Sequence, residues 1–301
     1  MASDNSSRRS AARPVLPGRD LTLVPAPARA GRAISSRLRD ARYWQILSLS
    51  LLLAFGMLQL GFDQKPAAIP LIFAGALGTQ WLMGRALGAP GFDPLSPLIT
   101  ALSLSILLRA NEPIALGLAA SAAIASKFLI RFDGKHVFNP ANFAIAGLLL
   151  ATGEVWISPA QWGSRTWAAF LFASLAILVL SRAKRADLAL AFLLSYVGLL
   201  FARALWLGDP LAIPVKQMQS GAILLFAFFM ISDPKTTPDR RAHRIAFGAL
   251  VALTAHILQF HFWAPNGLMY ALFLLSPLTL LLDRWKPITR ADRFQWARPT
   301  V

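Results

Sequence analysis

The segment Ser232-Asp233-Pro234-Lys235-Thr236-Thr237 closes a phenylalanine-rich apolar run and leads into Arg240, Arg241 and Arg244. Proline cannot continue a helix, and it biases the residue before it toward an extended conformation. Asp233 therefore reads as a helix stop, paired with Lys235, Arg240 or Arg241. A chemical reading stands beside this one. Lys235, Thr236 and Thr237 offer one cation and two hydroxyls at a break in an apolar segment, a set suited to an anionic or acceptor-rich headgroup such as a flavin, a quinone or a phosphate.

A second constellation lies in Gly134 to Phe143, GKHVFNPANF. Asn139 and Asn142 are three residues apart, so with a helix starting near Pro140 their amides either cap it or line a site. His136, next to Lys135, reads as a solvated loop histidine. The four histidines, His136, His243, His256 and His261, show no four-residue spacing on one helix, so neither a metal site nor a bis-histidine haem is supported. There is no cysteine, and hence no disulfide, thiolate nucleophile or iron–sulfur ligand. Ser-His-Asp, Gly-x-Ser-x-Gly and glycine-rich phosphate-loop patterns are also missing, so no catalytic residue is assigned. Phe226, Phe228 and Phe229 offer rings for stacking on a cofactor, or plain packing.

These groups must be positioned by membrane-spanning elements. Of the 301 residues, 56% are hydrophobic and 15% charged, with a mean hydropathy of +0.53, which is too apolar for a soluble domain of this length. The net charge of +16 resides largely in the N-terminal tail and in gaps between apolar runs, a topological pattern rather than a nucleic-acid footprint. Apolar runs near 44–60, 67–84, 95–108, 113–130, 139–152, 166–181, 188–207, 219–232, 245–262 and 268–282 predict an all-α polytopic membrane protein of about ten transmembrane helices. The runs 95–108, 139–152 and 219–232 are short and predict broken or re-entrant helices. Residues 1–42 read as a disordered basic cytoplasmic tail, 43–285 as the transmembrane domain and 286–301 as a cytoplasmic C-terminal tail. Both termini inside puts the basic gaps around Arg85, Arg131, Arg182 and Arg240 on the cytoplasmic side of a bacterial inner membrane. Lys127 and Arg203 fall within apolar runs, near enough to an end to snorkel.

The halves share landmarks. Arg85-Ala86-Leu87 followed by Asp93-Pro94 recurs as Arg203-Ala204-Leu205 followed by Asp209-Pro210, and Phe138-Asn139-Pro140-Ala141-Asn142 has a counterpart in Ala264-Pro265-Asn266-Gly267. Repeat one is read as 43–152 and repeat two as 165–285. Five crossings in each half invert the second relative to the first and set a binding site near the midplane.

The stretches KHVFNPANFAIAGLLL, SGAILLFAFFMISDPKTTP and PNGLMYALFLLSPL resemble the NqrB/RnfD family of membrane proteins, found in the sodium-translocating NADH:quinone reductase (NqrB) and in the Rnf electron-transport complex (RnfD), and most of all its stand-alone UnbU-like branch. The resemblance implies a urea-transporter-like fold of two inverted five-helix repeats that binds flavin and passes electrons across the membrane. The resemblance also implies the FMN that family members commonly carry, esterified to a threonine in a Ser-Gly-Ala-Thr motif. Here Ser220-Gly221-Ala222 is followed by Ile223, which has no hydroxyl to esterify, so the flavin, FMN or riboflavin, is expected to be noncovalent. Asp233, Lys235, Thr236, Thr237, Asn139, Asn142, Asp93 and Ser220 are the candidate cofactor-binding residues. Expected partners are other membrane electron-transport subunits, an extracytoplasmic FMN-binding protein, quinone and the lipid bilayer. A small-solute transporter or channel on the same fold, and a cofactor-free scaffold of a membrane complex, are the alternatives.

Overall fold

A computed structural model describes residues 40–89, 91–158 and 185–285. The chain forms helices α1 (Ala41–Gln59), α2 (Ala68–Ala86), α3 (Leu95–Leu107), α4 (Pro113–Leu129) and α5 (Pro140–Ala151). After residue 184 come α6 (Ala186–Leu207), α7 (Ala212–Met218), α8 (Gly221–Leu225), a π-helical turn (Phe226–Met230), α9 (Arg241–Phe260), α10 (Gly267–Leu275) and α11 (Leu278–Trp285). The span expected at 166–181 lies outside the described residues, as does most of each tail.

Sequence sets the helix ends. Asp40 accepts a hydrogen bond from Arg42 N–H at the start of α1, Asn139 from Asn142 N–H at the start of α5, and Pro113 and Pro140 occupy first-turn positions where a missing N–H costs nothing. The first of these caps begins α1 at Ala41, so Asp40 and Arg42 are ordered and buried parts of the fold. Gly208 closes α6 with φ of 72°, a left-handed conformation that favours glycine.

Helices α1, α6 and α9 are each long and apolar enough to cross a membrane. Helices α10 and α11 together are also long and apolar enough to cross, as a broken span or a re-entrant loop bent by 42° at Ser276-Pro277, where the proline interrupts the ladder. The short apolar helices α3, α4, α5 and the α8–π segment complete a mostly helical, polytopic membrane architecture. Its perimeter is greasy: Leu58, Leu118, Leu150, Leu194 and Leu205 are all exposed, as lipid-facing residues are.

Two small ladders depart from the all-helical expectation. Helix α3 stops at Leu107, and β1 (Leu108–Ala110) then pairs antiparallel with β4 (Val155–Ile157), Arg109 opposite Trp156. Backbone that leaves a helix in an apolar setting must find partners, and this ladder supplies them. A second pair, β2 (Arg131–Phe132) with β3 (Lys135–His136), shapes the hairpin before α5.

Helix α2 packs along α4, and α6 packs along α9 in the second half. Both contacts depend on glycine. A Cβ on Gly75 of α2 would strike the carbonyl oxygen of Gly117 on α4, and one on Gly248 of α9 would come within 2.9 Å of the Leu188 carbonyl oxygen on α6. Small residues let helix backbones approach in this way. Helix α4 then packs on α5 and α9 on α10, and α5 meets α10 between the halves.

Ion pairs define two ends of the helix bundle. At the first face Arg42 bridges Asp40 and Asp93, Lys135 bridges Asp239 and Asp283, and Arg244 holds Asp187. At the second face Arg109 pairs with Asp63 and Arg203 with Asp209.

Candidate functional site

Among the described residues, two recesses hold candidate residues, one at each face. The first lies where the N-terminal turns of α1, α3 and α5 meet the chain leaving the π-helical turn, and it encloses about 70 Å³. Ala41, Ser96 and Pro140 bring those three helix starts to its wall, and Asp233, Pro234 and Lys235 supply the opposite side. Ser96, Thr100 and Ser103 stand at i, i+4 and i+7 on α3, so one hydroxyl stripe runs from the face two turns into the molecule. The recess follows that stripe inward from the face.

Asn139 joins the two halves. Its Oδ1 accepts from Asn142 N–H at 3.1 Å, while its Nδ2 donates to the Met230 carbonyl oxygen at 3.3 Å and lies 3.5 Å from Asp233 Oδ2. The π-helical turn widens the backbone here, and such turns recur at functional sites. Asp233 Oδ1 in turn accepts from Lys235 N–H at 3.0 Å, closing the turn that Pro234 begins.

Burial governs the titratable groups of this recess. It raises the Asp233 carboxyl above the usual carboxylate range, against the pull of the Lys235 N–H and of the Lys235, Arg185 and Lys127 charges. It lowers Lys235, an effect opposed by Asp233. His136 is pushed down to about 3, by burial first and then by the charges of Lys127, Arg131 and Lys235, so it is neutral at physiological pH. Its Nδ1 is buried without a hydrogen-bond partner among the described residues. The expected solvated loop histidine is thus a wall of the recess, because the β2–β3 hairpin folds it inward.

The other candidates divide. Asp93 lies behind the wall, with Oδ2 accepting from Arg42 Nη1 at 2.7 Å and Oδ1 from Leu95 N–H at 3.0 Å, which caps α3. Thr237 Oγ1 accepts from Arg185 Nε at 3.0 Å, and Thr236 Oγ1 donates to the Asp233 carbonyl oxygen, so both hydroxyls brace the loop. Burial pushes Arg185 down to about 10, with the Arg244 charge adding to the effect. Asn142 is fully buried, and neither its Oδ1 nor its Nδ2 has a partner among the described residues. A paired polar atom is the rule in a buried position, and this amide is an exception to it among the described residues.

Ser220 belongs to the second recess, a half-open cleft of about 490 Å³ at the other face. It is walled by Ser220, Ala222 and Ile223 at the start of α8, by Asn266 and Met269 at the start of α10, and by Tyr196 and Gln259. The Tyr196 hydroxyl donates to Gln259 Oε1, fixing that amide.

Several polar residues are fixed within the fold although their sequence context marks them as ordinary loop or snorkelling charges. Lys127 does not snorkel: it is 7% exposed, and Nζ donates to Gln80 Oε1 and to Ser96 Oγ. Arg203 is pulled to its helix end by Asp209, with its guanidinium 4.5 Å from the centroid of Phe260. Arg109 is buried rather than a loop charge, and Nη1 donates to the carbonyls of Ser105, Ile106 and Leu108, capping the broken end of α3. The hydroxyl spacing on α3 was readable in the sequence; the partners of Lys127 and Arg109, distant along the chain, were not.

The cleft is framed by Ser220-Gly221-Ala222-Ile223 and the α10 start, and that part of the chain is where similarity to known proteins concentrates. Residues 152–290 match the NQR2, RnfD, RnfE family. Over 140 residues, the chain is 30% identical to RnfD, the D-type component of the ion-translocating oxidoreductase complex, from Escherichia coli O139:H28 (strain E24377A / ETEC) and from Escherichia coli O9:H4 (strain HS). The alignment covers 46% of this chain and 36% of each relative, so the chain spans about a third of the length of the curated relatives it matches. Both recesses draw on the matched segment, the first through Phe228 to Lys235 and the second through α8 and α10.

Proposed function

We propose that the protein is a membrane component of an ion-translocating oxidoreductase complex, of the stand-alone UnbU-like kind. It holds a noncovalent flavin and passes electrons across the inner membrane to or from a partner flavoprotein. The observation that carries this reading is the second-face cleft, which falls in the segment similar to RnfD and is built around Ser220-Gly221-Ala222. At about 490 Å³ it lies within the usual size of cofactor pockets, roughly 300–1,000 Å³, and the first recess lies well below that range. The donor set also fits a many-acceptor ring: Lys216, Gln217, Ser220 and Asn266 line the cleft, and Ile223 and Met269 offer apolar faces. Ile223 cannot form a phosphoester, so retention rests on shape and hydrogen bonds. A flavin bound there supplies one- and two-electron transfer, and the chain's residues bind, orient and shield it.

Two further features belong to this proposal. The matched packing of α2 on α4 and of α6 on α9, with Asn139 and Asn266 each at the start of a broken helix, supports two inverted five-helix halves. Arg42, Arg85, Arg131, Lys135, Arg185, Lys235 and Arg241 gather toward the first face, which supports a cytoplasmic first face. A solute path is the second reading, favoured by the hydroxyl stripe Ser96, Thr100 and Ser103.

The test is absorbance and mass analysis of the full chain purified in detergent after expression with riboflavin present, before and after denaturation. Near-stoichiometric release of free flavin is expected. A colourless protein that carries solute into liposomes would replace this reading with the second, and a colourless protein that carries none would leave a scaffold.

A further inference from the structure

Helices α6 and α9 pack tightly at Leu188 and Gly248, near their first-face ends. Toward the second face they leave an open groove of about 570 Å³, walled by Arg203, Trp206 and Leu207 of α6 and by His256, Ile257 and Phe260 of α9. Both helices are long and apolar enough to cross a membrane, so the groove lies at their last turns, where headgroups meet hydrocarbon. Trp206 is 88% exposed there, as aromatic side chains at the lipid–water boundary are. Leu207 and Ile257 are exposed as well and add apolar surface. Charged, aromatic and apolar groups in one groove open to lipid fit an amphiphile.

Charge on this rim comes as a pair. Arg203 Nη1 donates to Asp209 Oδ2 at 3.3 Å, and the two side chains remain 30% and 35% exposed. A guanidinium has five N–H groups and a carboxylate about four lone-pair sites, so one shared bond leaves most of each for a ligand. The guanidinium also lies 4.5 Å from the Phe260 centroid, which steadies it. An exposed cation beside an exposed anion complements a zwitterion, with a phosphate on Arg203 and an amine on Asp209. An anionic headgroup without an amine would set its charge against the carboxylate. A quaternary ammonium has no N–H for Asp209 and is recognised by aromatic faces, of which Phe260 is already covered by Arg203. The primary ammonium of phosphoethanolamine meets both requirements. The His256 ring nitrogens add hydrogen-bonding capacity for phosphate or ester oxygens.

We propose that the α6–α9 groove at the second face binds a phospholipid with a phosphoethanolamine headgroup. Arg203 and His256 hold its phosphate and ester oxygens, Asp209 accepts from its ammonium, and Trp206, Leu207 and Ile257 pack on the upper part of an acyl chain. The groove is independent of flavin, since its lining residues and those of the second-face cleft are different.

Tryptophan quenching in bilayers tests the proposal. The full chain and its Trp206→Phe variant are reconstituted in vesicles of phosphatidylcholine and phosphatidylglycerol, and one lipid brominated near the glycerol end of its acyl chains is titrated in; the difference between the two proteins isolates Trp206. Brominated phosphatidylethanolamine should occupy the groove at least about fivefold more tightly than brominated phosphatidylcholine, because one headgroup satisfies a charged acceptor and the other does not. Trp81, exposed on α2 and outside the groove, should be quenched equally by both when isolated with Trp81→Phe. Asp209→Asn should remove the preference and leave quenching by phosphatidylcholine unchanged, whereas Arg203→Gln should weaken both lipids. Equal quenching of Trp206 by the two lipids in the otherwise unaltered chain, a preference shared by Trp81, or stronger quenching by brominated phosphatidylglycerol overturns the proposal whatever the charge variants do.

Discussion

Replacing Asn139 with alanine removes a helix cap and the hydrogen bond that ties α5 to the π-helical turn. The cap is the 3.1 Å bond from Asn142 N–H to Oδ1, and losing such a cap costs about 0.5–2 kcal/mol. The second loss is the 3.3 Å bond from Nδ2 to the carbonyl of Met230, a residue 1% exposed. A buried carbonyl left unpaired costs about 1–3 kcal/mol. The 3.5 Å approach to Asp233 Oδ2 is at the limit of a hydrogen bond and adds little. Asn139→Ala should therefore destabilise the protein by roughly 2–4 kcal/mol. Asn139→Ser keeps a capping oxygen but does not reach Met230, so it should recover the first contribution and not the second. Denaturant unfolding in one mild detergent, followed by tryptophan fluorescence, orders the three proteins. An alanine variant within about 0.5 kcal/mol of the unaltered chain would refute the view that Asn139 couples α5 to the turn.

Acidification provides a second check through His136. Its folded value of about 3 lies below the ordinary 6.5, so its contribution is fully present above pH 6.5 and is lost as pH falls toward 3; His136→Phe should flatten the stability profile over that window. Asp233 has the opposite sign, since a raised carboxyl favours folding at low pH, and Asp233→Asn should relieve a penalty that grows as pH rises above the usual carboxylate range, read from the same unfolding curves. Lys135→Met leaves Asp239 and Asp283, now 2.7 and 2.8 Å from Nζ, without their shared cation, and should cost about 3–5 kcal/mol in denaturant unfolding. Gly75→Ala forces a methyl onto the Gly117 carbonyl and should cost about 1–3 kcal/mol, whereas Gly78→Ala on the same helix meets nothing within 4 Å and should leave the midpoint unchanged or higher.

The helix-breaking residues were the most legible part of the sequence. Asn139-Pro140, Asp93-Pro94 and Asp233-Pro234 stop or start helices by local rules, and those stops converge on one face, which is why Asn139, Asp233 and Lys235 meet at one recess. Thr236 and Thr237 read as ligands by residue type; the Thr236 hydroxyl is taken locally by the Asp233 carbonyl, and the bond from Arg185 to Thr237, 52 residues away, is a tertiary fact. Ser220 lies at the opposite face, since α8 and the π-helical turn separate it from Asp233. The β1–β4 ladder was hidden because Leu108-Arg109-Ala110 continues the composition of an apolar run, and only its pairing with Val155-Trp156-Ile157 makes it a strand. Length told correctly that α3, α5 and the α8–π segment fall short of a full crossing, because rise per residue is fixed by helix geometry.

Because the chain contains no cysteine, single substitutions report accessibility against a silent background. Lys235→Cys at the first recess and Lys216→Cys at the second cleft should react with a membrane-impermeant maleimide from opposite sides of sealed vesicles, Lys235→Cys from the cytoplasmic side. Labelling of both from the same side would contradict two polar sites at opposed membrane faces, and with them the proposed route for electrons across the bilayer.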